Sequence, residues 1–162
     1  MTQLTTEQMK QLHDDHVAAD NAKRLAKDMD LYTDDCYMQH VPLGYRITGK
    51  PAMVEYYEMF TEAFPDSQYT IVGEQYGDDK LLCWGSWAST SVGPFLGVMP
   101  ETKGNRIDVD LMTLIRYRDG LILGEHLVLD FHNFLRMGGF DIEAVRAEAA
   151  KLPQCGSWEG LI

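Results

Sequence analysis

The spacing of hydrophobic residues along the chain changes from helical to strand-like just after Pro65. Before this point, apolar residues recur every three or four positions, the interval at which side chains share one face of a helix. Thr5 followed by Gln8 has the form of a capping box, and Asp20 has the form of a second N-cap. The pattern predicts two short helices, or one broken helix, ending near Tyr32.

A short strand and a third helix precede the change of period. The β-prone run at 36–41 predicts the strand, and a turn and loop lead from it to Gly49. Pro51 suits a first helical turn, and apolar residues repeat at helical spacing from there to Phe64. These residues predict the third helix.

After the change of period, polar and apolar residues alternate in four segments rich in β-branched and aromatic residues. These predicted strands are 69–76, 80–92, 106–118 and 121–130. The Gly- and Pro-rich segment 93–100 is predicted to be a loop between the second and third of them. Helices first and a run of antiparallel strands afterwards indicate an α+β domain rather than an alternating α/β domain.

The last part of the chain has a different character. Asp141 can cap a final helix whose apolar residues share one face, and the sequence beyond Pro153 continues to Trp158, which is either exposed or docked. The chain therefore divides into a domain at 1–139 and a C-terminal helical tail at 140–162. We expect this tail to pack on its own domain or on a partner subunit.

Composition excludes several functional classes. The length of 162 residues fits one domain with a core and room for a pocket. A net charge of −11, with 14 Lys and Arg, opposes binding to nucleic acid and to anionic membranes. No apolar run reaches the ~18 residues of a membrane span, and the polar N-terminus lacks the features of a signal peptide, so we expect a cytoplasmic protein. The three widely spaced cysteines predict neither a disulfide framework nor a zinc knuckle.

Several short motifs occur in an order known from one family. They are Gly-Lys-Pro-Ala at 49–52, Ala-Phe-Pro-Asp at 63–66, Gly-Pro-Phe-Leu-Gly at 93–97, Arg-Asp-Gly at 118–120, Glu-His at 125–126 and Asp130. Together with the order of helices and strands, these motifs resemble those of the SnoaL-like polyketide cyclases of the nuclear-transport-factor-2-like superfamily. The resemblance covers roughly residues 8–138.

The resemblance implies a cone-shaped, curved antiparallel sheet wrapped around three N-terminal helices. It also implies a cofactor-independent cyclase that acts on a small apolar carbonyl compound and closes a ring by aldol addition of an enolate. An isomerase or a dehydratase would begin in the same way, and a non-catalytic protein that binds a small ligand is a further alternative. By the same resemblance we expect a homodimer that pairs through the outer face of the sheet.

Two departures from the family pattern bear on the activity. Many relatives carry Gly-Thr-His just before the Gly-Pro-Phe loop, whereas this chain has Ser91 at the position of the histidine. The Trp that follows Glu-His in the family is Leu127 here. If the absent histidine takes part in catalysis in relatives, this protein uses another base or performs another reaction. Both departures favour the non-catalytic alternative.

Asp130 and His40 are the predicted catalytic residues. Asp130 ends the last predicted strand beside Phe131, where it can point into an apolar pocket that raises the pKa of its carboxyl group towards neutrality. The resemblance implies the same role, a general acid/base, and the alternative is a solvated side chain that caps the next turn through Asn133. His40 can orient a carbonyl or donate to an enolate oxygen, or it can be an ordinary core histidine.

Further residues are predicted to line the substrate pocket. His126 lies four residues before Asp130 on the same strand, so both side chains share a face, and Asp110 lies on the preceding strand. Aromatic residues are typical of pocket walls and equally typical of an ordinary core. The predicted substrate-binding residues are His126, Trp87, Tyr37, Tyr57, Phe60 and Asp110.

Two histidines of the first helix have the spacing of metal ligands. His13 and His16 are spaced so that both can bind one metal if His132 or a carboxylate completes the site. Hydrogen-bonded histidines at a helix–sheet contact are the alternative that we favour, so no metal is expected. The Gly-rich nucleotide motifs and the G-x-S-x-G nucleophile motif do not occur in the sequence, so no nucleotide cofactor is expected either.

Overall fold

The computed structural model describes residues 3–156, which form one six-stranded sheet and five α-helices. The helices are α1 (Thr6–Asn21), α2 (Leu25–Met29), α3 (Lys50–Ala63), α4 (Phe131–Gly138) and α5 (Ile142–Ala149), with a short 3-10 turn at Val41–Leu43. The strands are β1 (Tyr32–His40), β2 (Tyr45–Thr48), β3 (Gln68–Tyr76), β4 (Lys80–Ser91), β5 (Asn105–Arg118) and β6 (Leu121–Leu129). The predicted α+β class is confirmed.

Helix α1 begins at the predicted capping box. Thr5 accepts a hydrogen bond from the backbone N–H of Gln8, and the Gln8 side chain accepts one from the backbone N–H of Thr5. Helix α2 begins after Arg24, so the prediction that Asp20 caps it is wrong. Asp20 belongs instead to the last turn of α1, where its carboxyl group faces the interior of the protein.

The strands form one curved sheet in the order β2-β1-β6-β5-β4-β3. Neighbouring strands are antiparallel except β1 and β6, which run parallel. Side chains alternate between a concave face, covered by helices, and an outer face. On β5, for example, Val109 and Leu111 are buried, whereas Asp110 and Met112 are exposed. The curved sheet that was predicted is confirmed, with one parallel pair in it.

An aromatic cluster closes one end of the concave face. Its buried ring-bearing members are Phe64, Trp87, Phe95, Phe131, Phe134 and Phe140. Phe95 comes from the predicted loop 93–100 and is fully buried, so the loop is fixed by packing although it contains neither helix nor strand. A second buried cluster, drawn from the helices and from several strands, includes Met9, Met53 and Tyr32.

Two elements were not predicted from the sequence. Strand β2 lies where a turn and loop were expected, and it forms the edge of the sheet beside β1. Helix α4 follows β6 directly, so the last predicted strand was one residue too long. Helix α5 begins as predicted, because Asp141 accepts hydrogen bonds from the backbone N–H groups of Glu143 and Ala144.

The segment after α5 packs against its own domain. The backbone N–H of Arg46 donates to the carbonyl of Pro153 at 2.9 Å, and the N–H of Cys155 donates to the carbonyl of Gly44 at 3.0 Å. Trp158, which was expected to be exposed or docked, lies outside the described residues. No helix within residues 3–156 is both long and apolar enough to cross a membrane.

Candidate functional site

The concave face of the sheet encloses a cavity of about 40 Å³ with α1 and α3. Two smaller cavities, of about 30 and 20 Å³, share part of its lining, and Phe60 and Tyr69 line all three. Apolar and aromatic side chains dominate the cavity of about 40 Å³. Its imidazole and carboxyl groups come from His13, His16, Asp20 and Glu125. A few convergent polar groups in an apolar interior are typical of a small-molecule site.

His16 is the centre of a buried polar network beside this cavity. Its Nδ1 lies 2.7 Å from Oδ1 of Asp28, while its Nε2 lies 3.8 Å from Oε1 of Glu125 and 4.0 Å from Oδ2 of Asp20. The Tyr32 hydroxyl donates a hydrogen bond to the same Glu125 oxygen. All of these side chains are buried except that of Asp20, which is 13% exposed. Three carboxyl groups thus surround one imidazole where little water can reach them.

This arrangement shifts the pKa values of His16 and Asp20. Burial alone would lower the pKa of His16, but the negative charges of Glu125 and Asp28 outweigh burial and raise it to about 10. Burial also raises the pKa of Asp20. The positive charge of His16 lowers this pKa, whereas the like charges of Asp28 and Glu125 raise it further, so that it is about 7. Near neutral pH the imidazole is therefore charged, while Asp20 can exchange a proton.

His13 forms a separate pair with Glu74. Its Nδ1 lies 2.8 Å from Oε1 of Glu74, and its ring centre lies 6.4 Å from that of His16. Burial lowers the pKa of His13, and this effect exceeds that of the Glu74 hydrogen bond. The two histidines belong to different groups of side chains that could hold a metal ion. Within each group the ligand atoms lie within 4.8 Å of one another, and the groups are His13, Asp14 and Glu74, and His16, Asp20 and Asp28. The His-x-x-His pair therefore does not converge on one point.

Asp130 lies outside this interior. It is the N-cap of α4, where its carboxyl group accepts hydrogen bonds from the backbone N–H of Asn133 at 3.1 Å and from its side chain at 2.6 Å. These hydrogen bonds lower the pKa of the exposed Asp130 carboxyl group. The expectation that Asp130 points into an apolar pocket that raises its pKa is therefore wrong. The reason is that β6 ends one residue earlier, at Leu129, and Asp130 begins a helix.

His40 and Trp87 meet at the smallest cavity. The His40 ring stacks on the ring of Tyr45, with 5.0 Å between the ring centres. Burial lowers the pKa of His40 to about 3, so the imidazole is neutral at neutral pH. Of the predicted substrate-binding residues, Trp87, Tyr57 and Phe60 all line the interior cavities.

His126, Tyr37 and Asp110 lie on the other side of the sheet. On β6, Glu125 and Leu127 line the cavity, so the side chain of His126 between them points to the outer face. There its Nε2 lies 2.9 Å from the hydroxyl oxygen of Tyr37. Asp110 is exposed on the outer face of β5. The expected position of these three residues inside the pocket is therefore corrected: His126 and Asp130 share a face as predicted, but it is the outer one.

Most of the central network was not predicted from the sequence. Asp28 and Glu125 were not considered as site residues, and Asp20 was given a capping role. One signal was available, because His16 and Asp20 are four residues apart in a helix and therefore share a face. Asp28 lies in the five-residue helix α2, and no periodic pattern distinguishes it from the exposed acids around it.

Comparison with known proteins supports this architecture. The family profile of the SnoaL-like domain matches residues 13–125. Among curated proteins, none matches the chain significantly. Two of the solved structures that match are described as nuclear-transport-factor-2-like and as having a ketosteroid isomerase-like fold.

Three solved structures illustrate the likeness. AclR, a candidate hydroxylase from Streptomyces galilaeus, is 24% identical over 83% of this chain and 98% of its own, with a TM-score of 0.69. A candidate polyketide cyclase from Xanthomonas campestris is 14% identical over 82% of this chain and 97% of its own, with a TM-score of 0.73. A protein with a ketosteroid isomerase-like fold from Catenulispora acidiphila, in complex with trimethylamine, is 15% identical over 82% and 95%, with a TM-score of 0.68. At these identities the structures show the fold alone. Because the family profile covers more than half of its length, this chain belongs to the SnoaL-like domain family.

Proposed function

We propose that the protein is a cofactor-independent acid/base enzyme that removes a proton next to the carbonyl group of a small, mostly apolar compound. One observation carries the proposal. Asp20, with a pKa of about 7, and His16, with a pKa of about 10, lie 4.0 Å apart and line the same largely apolar cavity. Neighbouring groups whose environments set their pKa values apart are typical of acid/base pairs in enzymes.

Asp20 is the proposed base. A carboxylate with a pKa near the working pH is ionised in part and is still basic enough to take up a proton from carbon. When it does so, its own negative charge disappears, and the nearby charges of Asp28 and Glu125 favour this change. The carboxyl group also lines the adjoining cavity of about 30 Å³, so a substrate in either cavity can reach it.

His16 is the proposed partner of the enolate oxygen. Asp28 holds its Nδ1, which leaves Nε2–H for the substrate, and the surrounding carboxylates keep the ring charged. A charged donor that is fixed in a dry site before the reaction stabilises the developing oxyanion more than water does. His40, for which this role was predicted, lies at the neighbouring cavity of about 20 Å³ and is the alternative donor.

The enolate can react further in more than one way. We place aldol ring closure first, because candidate polyketide cyclases are among the structural relatives, and isomerisation and dehydration are alternatives that begin from the same intermediate. The cavity of about 40 Å³ offers space for roughly three water-sized groups, since one water needs about 10–15 Å³. A substrate with more atoms than this would have to displace side chains such as Phe60 or Tyr69, which line all three cavities.

A non-catalytic protein that binds a small ligand is the second candidate. Ser91, at the position where many relatives have a histidine, donates a hydrogen bond to the carbonyl of Gly138 at 2.8 Å. Its role in the structure is therefore to join β4 to the end of α4. The cavity wall at Leu127 is likewise apolar, where relatives have a Trp. Both observations favour binding over catalysis at these two positions.

Exchange of protons next to a carbonyl group tests the proposal without knowledge of the final product. 2-Butanone is incubated with the protein in D₂O, and the loss of its proton signals next to the carbonyl is followed by NMR. We expect the wild type to catalyse the exchange, and the rate to fall about a hundredfold or more in Asp20→Asn. Asp130→Asn is the matched control, because it removes an exposed carboxylate and should exchange like the wild type.

The two variants separate the alternatives. Full activity of Asp20→Asn together with inactive Asp130→Asn would overturn the assignment of the base and restore the role predicted for Asp130. A wild type that binds 2-butanone but never exchanges its protons would favour the non-catalytic candidate.

We also propose a homodimer that forms through the outer face of the sheet. Val72, Trp84 and Met112 on adjacent strands are 74%, 40% and 45% exposed there, and contiguous apolar surface of this kind is typical of interaction sites. A second copy would cover this patch with its own equivalent. Analytical ultracentrifugation should show a dimer for the wild type and a monomer for Trp84→Glu. A monomeric wild type, or a variant that stays dimeric, would contradict the proposal.

A further inference from the structure

The cavity of about 20 Å³ is lined by two polar side chains that do not belong to the proposed pair of His16 and Asp20. Nε1 of Trp87 and Nδ1 of His40 have no hydrogen-bond partner among residues 3–156. Trp87 is 3% exposed and His40 is 1% exposed. A buried N–H group without a partner is strongly unfavourable, so such groups in a folded protein usually have a water or a ligand as partner.

Both side chains line the same chamber, of about 20 Å³. This space is enough for one oxygen atom, because a water molecule needs about 10–15 Å³. The other residues around the chamber are apolar or aromatic, and several of them also line the cavity of about 40 Å³ beside His16. The shared residues are Phe60, Tyr69, Leu111 and Leu127. The chamber is therefore one end of the same interior that holds His16 and Asp20.

The chemistry of the two groups selects the kind of atom that fits. An indole N–H can only donate a hydrogen bond, and a neutral imidazole donates through one nitrogen and accepts through the other. A carbonyl oxygen can accept from both Trp87 and His40. An ammonium group would find no acceptor at Trp87, and a hydrocarbon group would leave both atoms unsatisfied.

We propose that this chamber is a subsite for a neutral, hydrogen-bond-accepting oxygen at the end of the substrate remote from Asp20. The inference rests on the proposed function in one respect, that the interior binds a small, mostly apolar molecule. It adds that this molecule carries a second oxygen besides the carbonyl group at Asp20 and His16. Trp87 and His40 are then specificity-determining residues.

The NMR signal of the Trp87 indole N–H tests the proposal directly. The signal is assigned by its loss in Trp87→Phe, and the indole of Trp84 on the outer face is the internal control. The protein is titrated with 4-methoxy-2-butanone, which carries a second oxygen beyond its ketone, and, separately, with 2-hexanone, in which a methylene group replaces that second oxygen. We expect a saturable downfield shift of the Trp87 signal with 4-methoxy-2-butanone alone, and no shift of the Trp84 signal with either probe.

Affinity provides a second readout. Trp87→Phe should weaken binding of 4-methoxy-2-butanone about fivefold to tenfold, the loss expected for one hydrogen bond, and should leave the affinity for 2-hexanone unchanged. Trp84→Phe should change neither affinity. Equal Trp87 shifts with both probes would overturn the proposal, as would a Trp87 signal that 4-methoxy-2-butanone does not move because a resident water keeps the chamber. Since binding is measured, a protein that binds 4-methoxy-2-butanone at Trp87 without exchanging the protons next to its ketone would refute the proposed enzyme activity and leave the subsite in place.

Discussion

Replacement of Asp20 by Asn should stabilise the protein, and by an increasing amount as the pH rises from 5 to 8. The pKa of Asp20 is about 7 in the folded protein, against 3.8 without the influence of the fold. Between these values the folded state holds a proton that the unfolded state has already released, so the free energy of unfolding falls as the pH rises. Asn resembles the neutral acid and does not ionise, so the variant escapes this loss.

The size of the effect follows from the pKa difference. One pH unit corresponds to about 1.4 kcal/mol, so the upper limit is about 4 kcal/mol at pH 8 and about 1.5 kcal/mol at pH 5. Solvent screening is small because the Asp20 side chain is only 13% exposed. The charge of His16 is coupled to that of Asp20 and reduces the difference, so we expect the advantage of the variant to grow by about 2 kcal/mol between pH 5 and pH 8.

Urea unfolding followed by tryptophan fluorescence at both pH values measures this quantity, provided that the dependence of free energy on urea is unchanged. Asp130→Asn is the control, because the pKa of Asp130 is lowered and its contribution has the opposite sign: it is present at neutral pH and is lost as the pH falls. The control should gain no stability as the pH rises. A stability difference for Asp20→Asn that is the same at both pH values would refute the reasoning, since Asp20 would then not titrate near neutrality.

Three other substitutions test the packing and the electrostatics around the site. Gly85→Ala should destabilise the fold by about 3 kcal/mol in urea unfolding, because a Cβ there would lie 1.9 Å from the carbonyl oxygen of Thr70. A variant as stable as the wild type would contradict the close approach of β3 and β4. Phe95→Ala should cost about 3–5 kcal/mol, since the fully buried ring fixes the 93–100 loop, and a loss below about 1 kcal/mol would show that it does not. Glu125→Gln should lower the pKa of His16, because it removes the strongest charge that holds the ring protonated. ¹⁵N NMR of the imidazole measures this pKa, and an unchanged value would contradict the proposed effect of Glu125 on His16.

The fold could be predicted well from the sequence wherever local periodicity determines the structure. The four long strands follow from alternation, and α3 follows from the helical repeat that begins at Pro51. Strand β2 was missed because four residues carry too little pattern, and its edge position depends on pairing with β1. Helix α4 was missed because it follows β6 without a loop, so alternation up to Leu129 continued by one residue to Asp130.

The candidate site could be predicted less well, because the roles of its residues depend on which side of the sheet is covered. Alternation correctly places His126 and Asp130 on one face, but it cannot decide between the inner and the outer face. That decision is made by Glu125 and Leu127, which lie under α1 and α3. In addition, β6 was predicted to be one residue too long. Asp130 was therefore expected to be a pocket carboxylate, whereas it caps helix α4.

The pKa values of Asp20 and His16 have a common cause, which joins the two proposed roles. With one carboxylate near it, His16 would form a simple ion pair, and burial alone would raise the pKa of Asp20 against the opposing charge of His16. Asp28 and Glu125 together supply more negative charge than one imidazolium balances, and Oδ2 of Asp28 has no hydrogen-bond partner among the described residues. This excess raises both pKa values, so it keeps His16 a charged donor and Asp20 a base of useful strength. Loss of either carboxylate should therefore weaken the base and the donor together, as no change at the exposed Asp130 can.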